Sequence, residues 1–243
     1  MKLVKTKMMN LYLMKLLLRI TVFVGVLGFY LYDKEKLVEL ALQPLYMGIN
    51  SMHILWFFFM VMMLKHIFPK EPYTMALLKR EEKKFIEVEG YSRQEVLEFV
   101  QDQNQKAWKV MLVWLIGNGL VGLVYSFNWI GQAELFLLTV FYFLCDYICI
   151  LFYCPFQSHI MKNKCCVNCR IYDWGHFMMF TPMIMIKSFY TWSLFFMACI
   201  VLIHWELVYA KHPERFYYGS NKRLQCATCK DKTCQIKRKI TGK

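Results

Sequence analysis

Long apolar runs alternate with short polar segments along this chain, and the runs set the predicted elements. A segment that crosses a bilayer on its own needs about 20 apolar residues in a helix, because only a helix satisfies its own backbone in lipid. Four runs meet that demand. They cover residues 16–32, 44–64, 108–127 and 135–154. The pattern predicts an all-α, polytopic membrane bundle.

A fifth apolar run, residues 176–210, fits neither one span nor two. Its 35 residues would form a helix of about 52 Å, which is too long for one upright span and short for two. Pro182 interrupts the first part, and Lys187 is a polar position near the middle. We interpret the run as a short or re-entrant element over 176–186 and a full span over 190–209. The bundle then has about six membrane elements.

The polar segments complete the predicted organisation. The divisions are two N-terminal spans (1–64), a small cytoplasmic insert (65–107), the third and fourth spans (108–154), a Cys-rich loop (155–175), the short element with the last span (176–210), and a basic Cys-rich tail (211–243). Ser92 and Glu95 form a capping box, which predicts a helix that starts there and continues into the third span. Residues 85–89 predict a short strand that ends at Gly90.

Composition and charge agree with a membrane protein. Hydrophobic residues make up 58% of the 243, more than a soluble domain of this length can bury. The net charge is +13, and the basic residues behind it flank the apolar runs. That position favours contact with anionic lipid headgroups over nucleic acid. With a cytoplasmic N-terminus and six elements, all but three of the 30 Lys and Arg residues face the cytoplasm. The charge rule therefore predicts two cytoplasmic termini, and we expect the cell membrane.

Partners beyond the bilayer are less defined by the sequence. Gly117, Gly119 and Gly122 form a small-residue face suited to close helix contact. That contact can lie within the chain or between two copies, so a homo-oligomer stays open.

Two cysteine clusters carry the main candidate chemistry. The first is Cys165, Cys166 and Cys169, and the second is Cys226, Cys229 and Cys234. Each contains a CxxC pair, and Cys166, Cys169, Cys226 and Cys229 together supply the four thiolates that a structural zinc ion takes. The topology puts both clusters in the cytoplasm, where the reducing environment disfavours stable disulfides. The sequence thus predicts a cytoplasmic zinc clasp that joins the loop to the tail.

Two further thiols, Cys165 and Cys234, leave other chemistries open. A six-thiol set also suits an iron–sulfur cluster or metal-free dithiol chemistry. Cys145, Cys149 and Cys199 lie within predicted spans, where we expect them to pack as small apolar groups. Cys154 ends its span close in sequence to the first cluster, so it is a candidate for a spare ligand beside the alternative of apolar packing.

Ionisable residues inside the predicted spans are the second functional signal, because an unpaired charge is costly in lipid. The candidates are His53, Asp146, His204 and Glu206. They favour either a polar site for a small solute, ion or lipid headgroup, or hydrogen-bonded pairs that fix helix packing. A haem held by two of the histidines is disfavoured, because lone histidines on helices more often serve as packed donors.

Asp173 and His176 follow the first cysteine cluster, three residues apart. They are candidates to orient a metal ligand or to cap the next helix. Two functions thus remain open. One is a transport-type or non-enzymatic membrane protein with a structural zinc clasp. The other is a membrane redox protein with an iron–sulfur or dithiol centre.

Overall fold

The protein is represented by a computed structural model, which describes residues 6–42, 44–46, 49–68, 76–163 and 165–241. Within these ranges the α-helices are α1 (Lys7–Tyr32), α2 (Lys34–Leu42), α3 (Ser51–Ile67), α4 (Arg93–Ser126), α5 (Gln132–Leu151), α6 (Gly175–Phe180), α7 (Phe189–Lys211) and α8 (Cys234–Thr241). Two short strands, β1 (Pro44–Tyr46) and β2 (Ile49–Asn50), pair antiparallel. A π-helical turn covers Phe156–Met161. Short 3-10 turns cover Leu77–Arg80, Glu82–Lys84, Tyr172–Trp174, Thr181–Met185, Pro213–Arg215 and Lys222–Leu224.

Four helices of the described chain, α1, α4, α5 and α7, are long and apolar enough to cross a membrane. The predicted helical membrane bundle is therefore confirmed in this coarser form, whereas six spans are not. The predicted span over 44–64 is helical only from Ser51, because β1 and β2 occupy its first part. Residues 47–48 of that span lie outside the described residues. The apolar α3 is consequently shorter than a standard span.

Helix α4 runs without a break from the insert into the third predicted span. It begins at Arg93, directly after Ser92, and passes through Trp108 to Ser126, as predicted. The backbone of Ser92, the N-cap residue, is extended. Its side chain makes no capping hydrogen bond, so the predicted capping box is not formed.

The extended segment before α4 pairs with the C-terminal tail. The Lys222 amide donates to the carbonyl of Ile86 at 2.8 Å, and the Val88 amide donates to the carbonyl of Ser220 at 2.9 Å. Gly90 ends the segment with φ of +74°, a conformation that favours glycine. The predicted strand thus exists as a short bridge that attaches the insert to the tail.

The short element predicted over 176–186 corresponds to a helical segment over 175–185, which connects the two ends of the bundle. Gly175 lies so close to α5 that a β-carbon there would be 2.8 Å from Asp146 Oδ1. Eleven residues later Ile186 lines a cavity with Gln132, at the opposite end of α5. The distance from Asp146 to Gln132 along α5 is about 21 Å at the 1.5 Å rise per helical residue, and the segment follows α5 over that length. It turns at Ile186–Ser188, and α7 returns to the starting end.

Two arginine–carboxylate pairs tie these elements together. Arg19 of α1 donates to Asp146 of α5 at 2.8 Å and lies over the ring of Tyr147. Arg170 of the Cys-rich loop binds both carboxylate oxygens of Glu206 on α7. Because bidentate pairs fix geometry as well as charge, the second pair holds the loop against α7.

We expect Glu206→Gln to destabilise the protein by about 2 kcal/mol, because it leaves the Arg170 guanidinium without its counter-charge. The loss is smaller than for a fully buried pair, since the Glu206 side chain is 35% exposed. The midpoint of thermal unfolding in detergent should fall by roughly 5 °C. Glu214→Gln, which removes a tail carboxylate 3.3 Å from His212, is the matched control and should cost less than about 1 kcal/mol. Equal shifts in the two variants would show that Glu206 does not fix the loop.

Candidate functional site

The loop after α5 and the tail after α7 meet at one end of the bundle, which we call the cysteine end (residues 152–174 and 212–237). Trp205 of α7 donates its indole N–H to the carbonyl of Arg170 at 2.9 Å. Cys165 of the first cluster and Cys229 of the second pack against one small core of Leu78, Val167 and Leu224. The two cysteine clusters are therefore neighbours in space.

The four thiols predicted to bind zinc do not converge in this arrangement. Cys226 is exposed, whereas Cys169 is buried in a core with Leu77 and Trp205. Among the described residues, no three His, Cys, Asp or Glu side chains lie together in a way that could hold a metal ion. Burial raises the pKa of the Cys169 thiol to about 12 and that of Cys165 to about 11. Both are neutral thiols at neutral pH in this conformation.

A different set of thiols lines one cavity of about 420 Å³ at the cysteine end. Its cysteines are Cys145, Cys149, Cys154, Cys166 and Cys169. Its remaining wall is largely aromatic and includes Trp114, Phe141, Tyr142, Tyr153 and Phe156. Cys145 and Cys149 lie one turn apart on α5, so their side chains share a face. The expectation that they only pack as apolar groups was incomplete, because their face of α5 borders this cavity.

Cys154 has the most activated thiol of this set. It lies three residues beyond α5, where the backbone N–H of Gln157 donates to its sulfur at 3.4 Å. The neighbouring Cys149 thiol, helped by that N–H and by the charge of Lys237, lowers the pKa of Cys154, against the opposing effect of burial. The lowered pKa raises the fraction of Cys154 that is thiolate, the nucleophilic form.

Cys166 lies beside Cys154 and is contacted by the tail. Its thiol donates to Gln157 Oε1 at 3.0 Å, and Lys237 Nζ lies 2.8 Å from its sulfur. Burial raises the pKa of Cys166, and the Lys237 charge opposes that rise. The tail thus contributes a positive charge to the thiol cavity, through a residue far from it in sequence.

Lys79 brings a second positive charge to the first cysteine cluster. The side chain is completely buried, and its ammonium group donates to the carbonyl of Cys169 at 3.3 Å. Burial lowers the pKa of Lys79 to about 8, while the thiols of Cys169, Cys165 and Cys166 favour its charged form. An ammonium buried beside thiols stabilises any thiolate that forms there.

The polar residues predicted inside the spans serve mainly as partners of other side chains. Asp146 and Glu206 are matched by Arg19 and Arg170, as described above. Trp174 also donates to Glu206 Oε1, at 2.8 Å. Packing therefore explains both carboxylates.

The two candidate haem histidines do not face each other. His53 contacts the hydroxyl of Tyr190 at 2.6 Å, near the start of α7. His204 is fourteen residues further along α7, or about 21 Å away along the helix. They belong to opposite ends of the bundle.

Asp173 is a buried residue of the cysteine end. Its carboxylate accepts hydrogen bonds from His66 at 3.0 Å and from Arg80 at 3.4 Å. Burial alone would raise the pKa of Asp173, but the hydrogen bond from His66 and the positive charges around it lower the pKa below its usual range. The ring of His176 packs edge-on against that of His66, with centroids 4.6 Å apart. The two residues thus join the short element to α3 and the insert.

Sequence reasoning missed four residues that contact or border the cysteine end: Arg19, His66, Lys79 and Lys237. Arg19 was counted with the charges that flank the first span, and Lys79 with the solvated insert. A signal for Arg19 existed, because it lies four residues into an apolar run, where an arginine needs a partner. For Lys79 and Lys237 no local pattern marks burial or contact.

Comparison with protein-family models, with curated proteins and with solved structures finds no match. The class follows from the fold: a helical membrane protein, with four described helices long and apolar enough to span. Its particular feature is the thiol-lined cavity at the cysteine end.

The lowered pKa of Cys154 predicts how its modification depends on pH. Because only the thiolate reacts, labelling of Cys154 by N-ethylmaleimide should rise with a midpoint below the ordinary thiol value of about 8.5. Cys149→Ala removes the hydrogen-bond donor and should move the midpoint toward the ordinary thiol value of about 8.5. Mass spectrometry of the Cys154 peptide measures the rate. Cys199→Ala, in α7, is the control and should leave it unchanged, and a wild-type midpoint at or above the ordinary thiol value would contradict the assignment.

Proposed function

We propose that the protein is a membrane redox protein whose centre is a dithiol, Cys149 and Cys154, in the thiol-lined cavity. The observation that carries the proposal is the position of both thiols on the wall of one cavity, together with three further cysteines. The lowered pKa of Cys154 beside Cys149 supports it. Cys154 is the nucleophile, because its thiolate is stabilised by Cys149, by the Gln157 N–H and by Lys237. Cys149 is the partner sulfur within reach.

The reaction is a two-electron oxidation. Cys149 and Cys154 each lose their proton, one S–S bond forms, and two electrons leave the pair. Cys166 is the thiol placed to exchange with that bond, because its sulfur lies 3.9 Å from the Cys149 carbonyl oxygen. Its attack on the Cys149 sulfur forms a Cys166–Cys149 disulfide and releases the Cys154 thiolate, so the number of disulfides does not change. Lys237 stabilises the thiolate that Cys166 needs in order to attack.

The electron acceptor must suit the cavity. Its walls are apolar and aromatic, and several of its lining residues belong to α5, a helix long and apolar enough to span a membrane. We therefore assign the acceptor to the class of lipid-soluble quinones, which stack on aromatic rings. The two electrons and two protons convert the quinone to its hydroquinone, so the reaction balances without another partner.

A fully substituted quinone tests the reaction, because such a ring cannot be alkylated by thiols. Reduced protein in lipid nanodiscs should form one hydroquinone for every two thiols lost, without gain of mass. Cys154→Ser removes one sulfur of the pair and should abolish the reaction. Cys199→Ser keeps the pair and should retain the wild-type rate. Absence of hydroquinone in the wild type, or a full rate in Cys154→Ser, would overturn the proposal.

The second candidate is the zinc clasp at Cys166, Cys169, Cys226 and Cys229. The observation that favours it is the placement of Lys79 and Lys237 against the cysteine loop. Two positive charges offset the net negative charge of a four-thiolate zinc site. The clasp requires Cys226 to leave its exposed position and Cys169 to turn out of its core. Joining the loop to the tail would then be its role.

Cys226→Ser separates the two candidates, because Cys226 lies outside the thiol-lined cavity. The dithiol proposal predicts an unchanged rate of quinone reduction and an unchanged metal content. A zinc clasp predicts one zinc ion per wild-type chain and its loss in this variant, measured by elemental analysis. Visible colour with bound iron would instead support an iron–sulfur centre.

A further inference from the structure

A second cavity, of about 410 Å³, lies between α1, α3 and the start of α6. Its size is within the range of about 300–1,000 Å³ typical of ligand pockets. The polar part of its wall is rich in cations, among them Lys15 and Arg19 of α1 and Lys65 of α3. Two carboxylates, Asp146 and Asp173, also line it.

Both carboxylates already have partners. Asp146 is paired with Arg19 at 2.8 Å, and Asp173 with Arg80 at 3.4 Å. Within the described part of the chain, neither Lys15 nor Lys65 forms an ion pair. Lys15 is partly buried and Lys65 is exposed, so the cavity wall has two lysine charges without a carboxylate partner among the described residues. An anion would supply the missing counter-charge.

The remaining wall indicates what carries the anion. Phe58, Val61 and Met62 of α3 line the same cavity. Phe58 is also 56% exposed, so the cavity reaches the apolar outer surface of α3. The rings of Tyr12 and Tyr172 line the other side, where the Tyr12 hydroxyl lies 3.4 Å from that of Tyr172 and donates to Asp231. A charged group with an apolar attachment fits this combination.

We propose that this cavity binds the phosphate group of an anionic amphiphile, with Lys15 and Lys65 as its charged contacts. Phosphate accepts several hydrogen bonds and attracts lysine as a point charge. The apolar wall of α3 accommodates the part of the ligand next to the phosphate. The site is separate from the dithiol pair, so each proposal stands or falls alone.

Lipid binding in detergent tests the site. The rise in unfolding temperature on titration with phosphatidylglycerol gives an affinity, and zwitterionic phosphatidylcholine is the comparison lipid. We expect binding of phosphatidylglycerol that weakens roughly fivefold in Lys15→Gln and again in Lys65→Gln, given the typical contribution of one lysine near an anionic headgroup. Lys15→Arg keeps the charge and should retain the affinity. Lys211→Gln, at the end of α7, should bind as the wild type does.

Inorganic phosphate, added without lipid, separates the two sources of the group. Competition by millimolar phosphate, with loss in Lys15→Gln, would support the site and identify a soluble phosphate ester as its ligand. Binding of phosphatidylglycerol without competition would identify the lipid. Equal binding of both lipids, or unchanged affinity in the two lysine variants, would overturn the proposal.

Discussion

A charge inside an apolar helical bundle has to be matched, and the arrangement of the cysteine end depends on that constraint. Arg170 and Glu206 match each other across the loop and α7, while Arg19 and Asp146 match across α1 and α5. Once the loop is held by Arg170, its neighbour Cys169 and the preceding thiols have a fixed place above the end of α5. The Arg170–Glu206 pair thus acts as a positioning contact outside the thiol-lined cavity, whereas Asp146 of the other pair is part of the cavity wall.

The end of α5 then determines which thiols can react. Helical periodicity puts Cys145 and Cys149 on one face, and the chain leaves the helix before Cys154. The turn toward Pro155 brings the Gln157 N–H to the Cys154 sulfur. Lys237 arrives from the tail, so the tail contributes charge to the thiols even though its own Cys226 stays exposed. A contact between loop and tail exists, but it is made through Lys237 and apolar packing and not through four thiolates.

Much of the fold follows from apolar run length and from a few interrupting residues. Pro182 and Lys187 lie where the chain departs from one long helix, since 175–185 is followed by α7 from Phe189. The six-element count to which the predicted short element belongs is not confirmed. The same reasoning overestimated the span over 44–64, because run length does not reveal that β1 and β2 use part of it. Which side chains meet across helices is a tertiary property. Neither the pairing of Arg19 with Asp146 nor the burial of Lys79 leaves a local pattern in the sequence.

The two cavities share Asp146 and Tyr172 on their walls, so the proposed dithiol centre and the proposed anion site lie on either side of one ion pair. The central claim is that Cys149 and Cys154 form the reactive pair. Mass-spectrometric mapping of the protein in native membranes, after mild oxidation and blocking of free thiols, tests it most directly. The account predicts a disulfide within the peptide that contains Cys149 and Cys154. A disulfide between Cys166 or Cys169 and the tail cysteines, with Cys149 and Cys154 both blocked as free thiols, would contradict it.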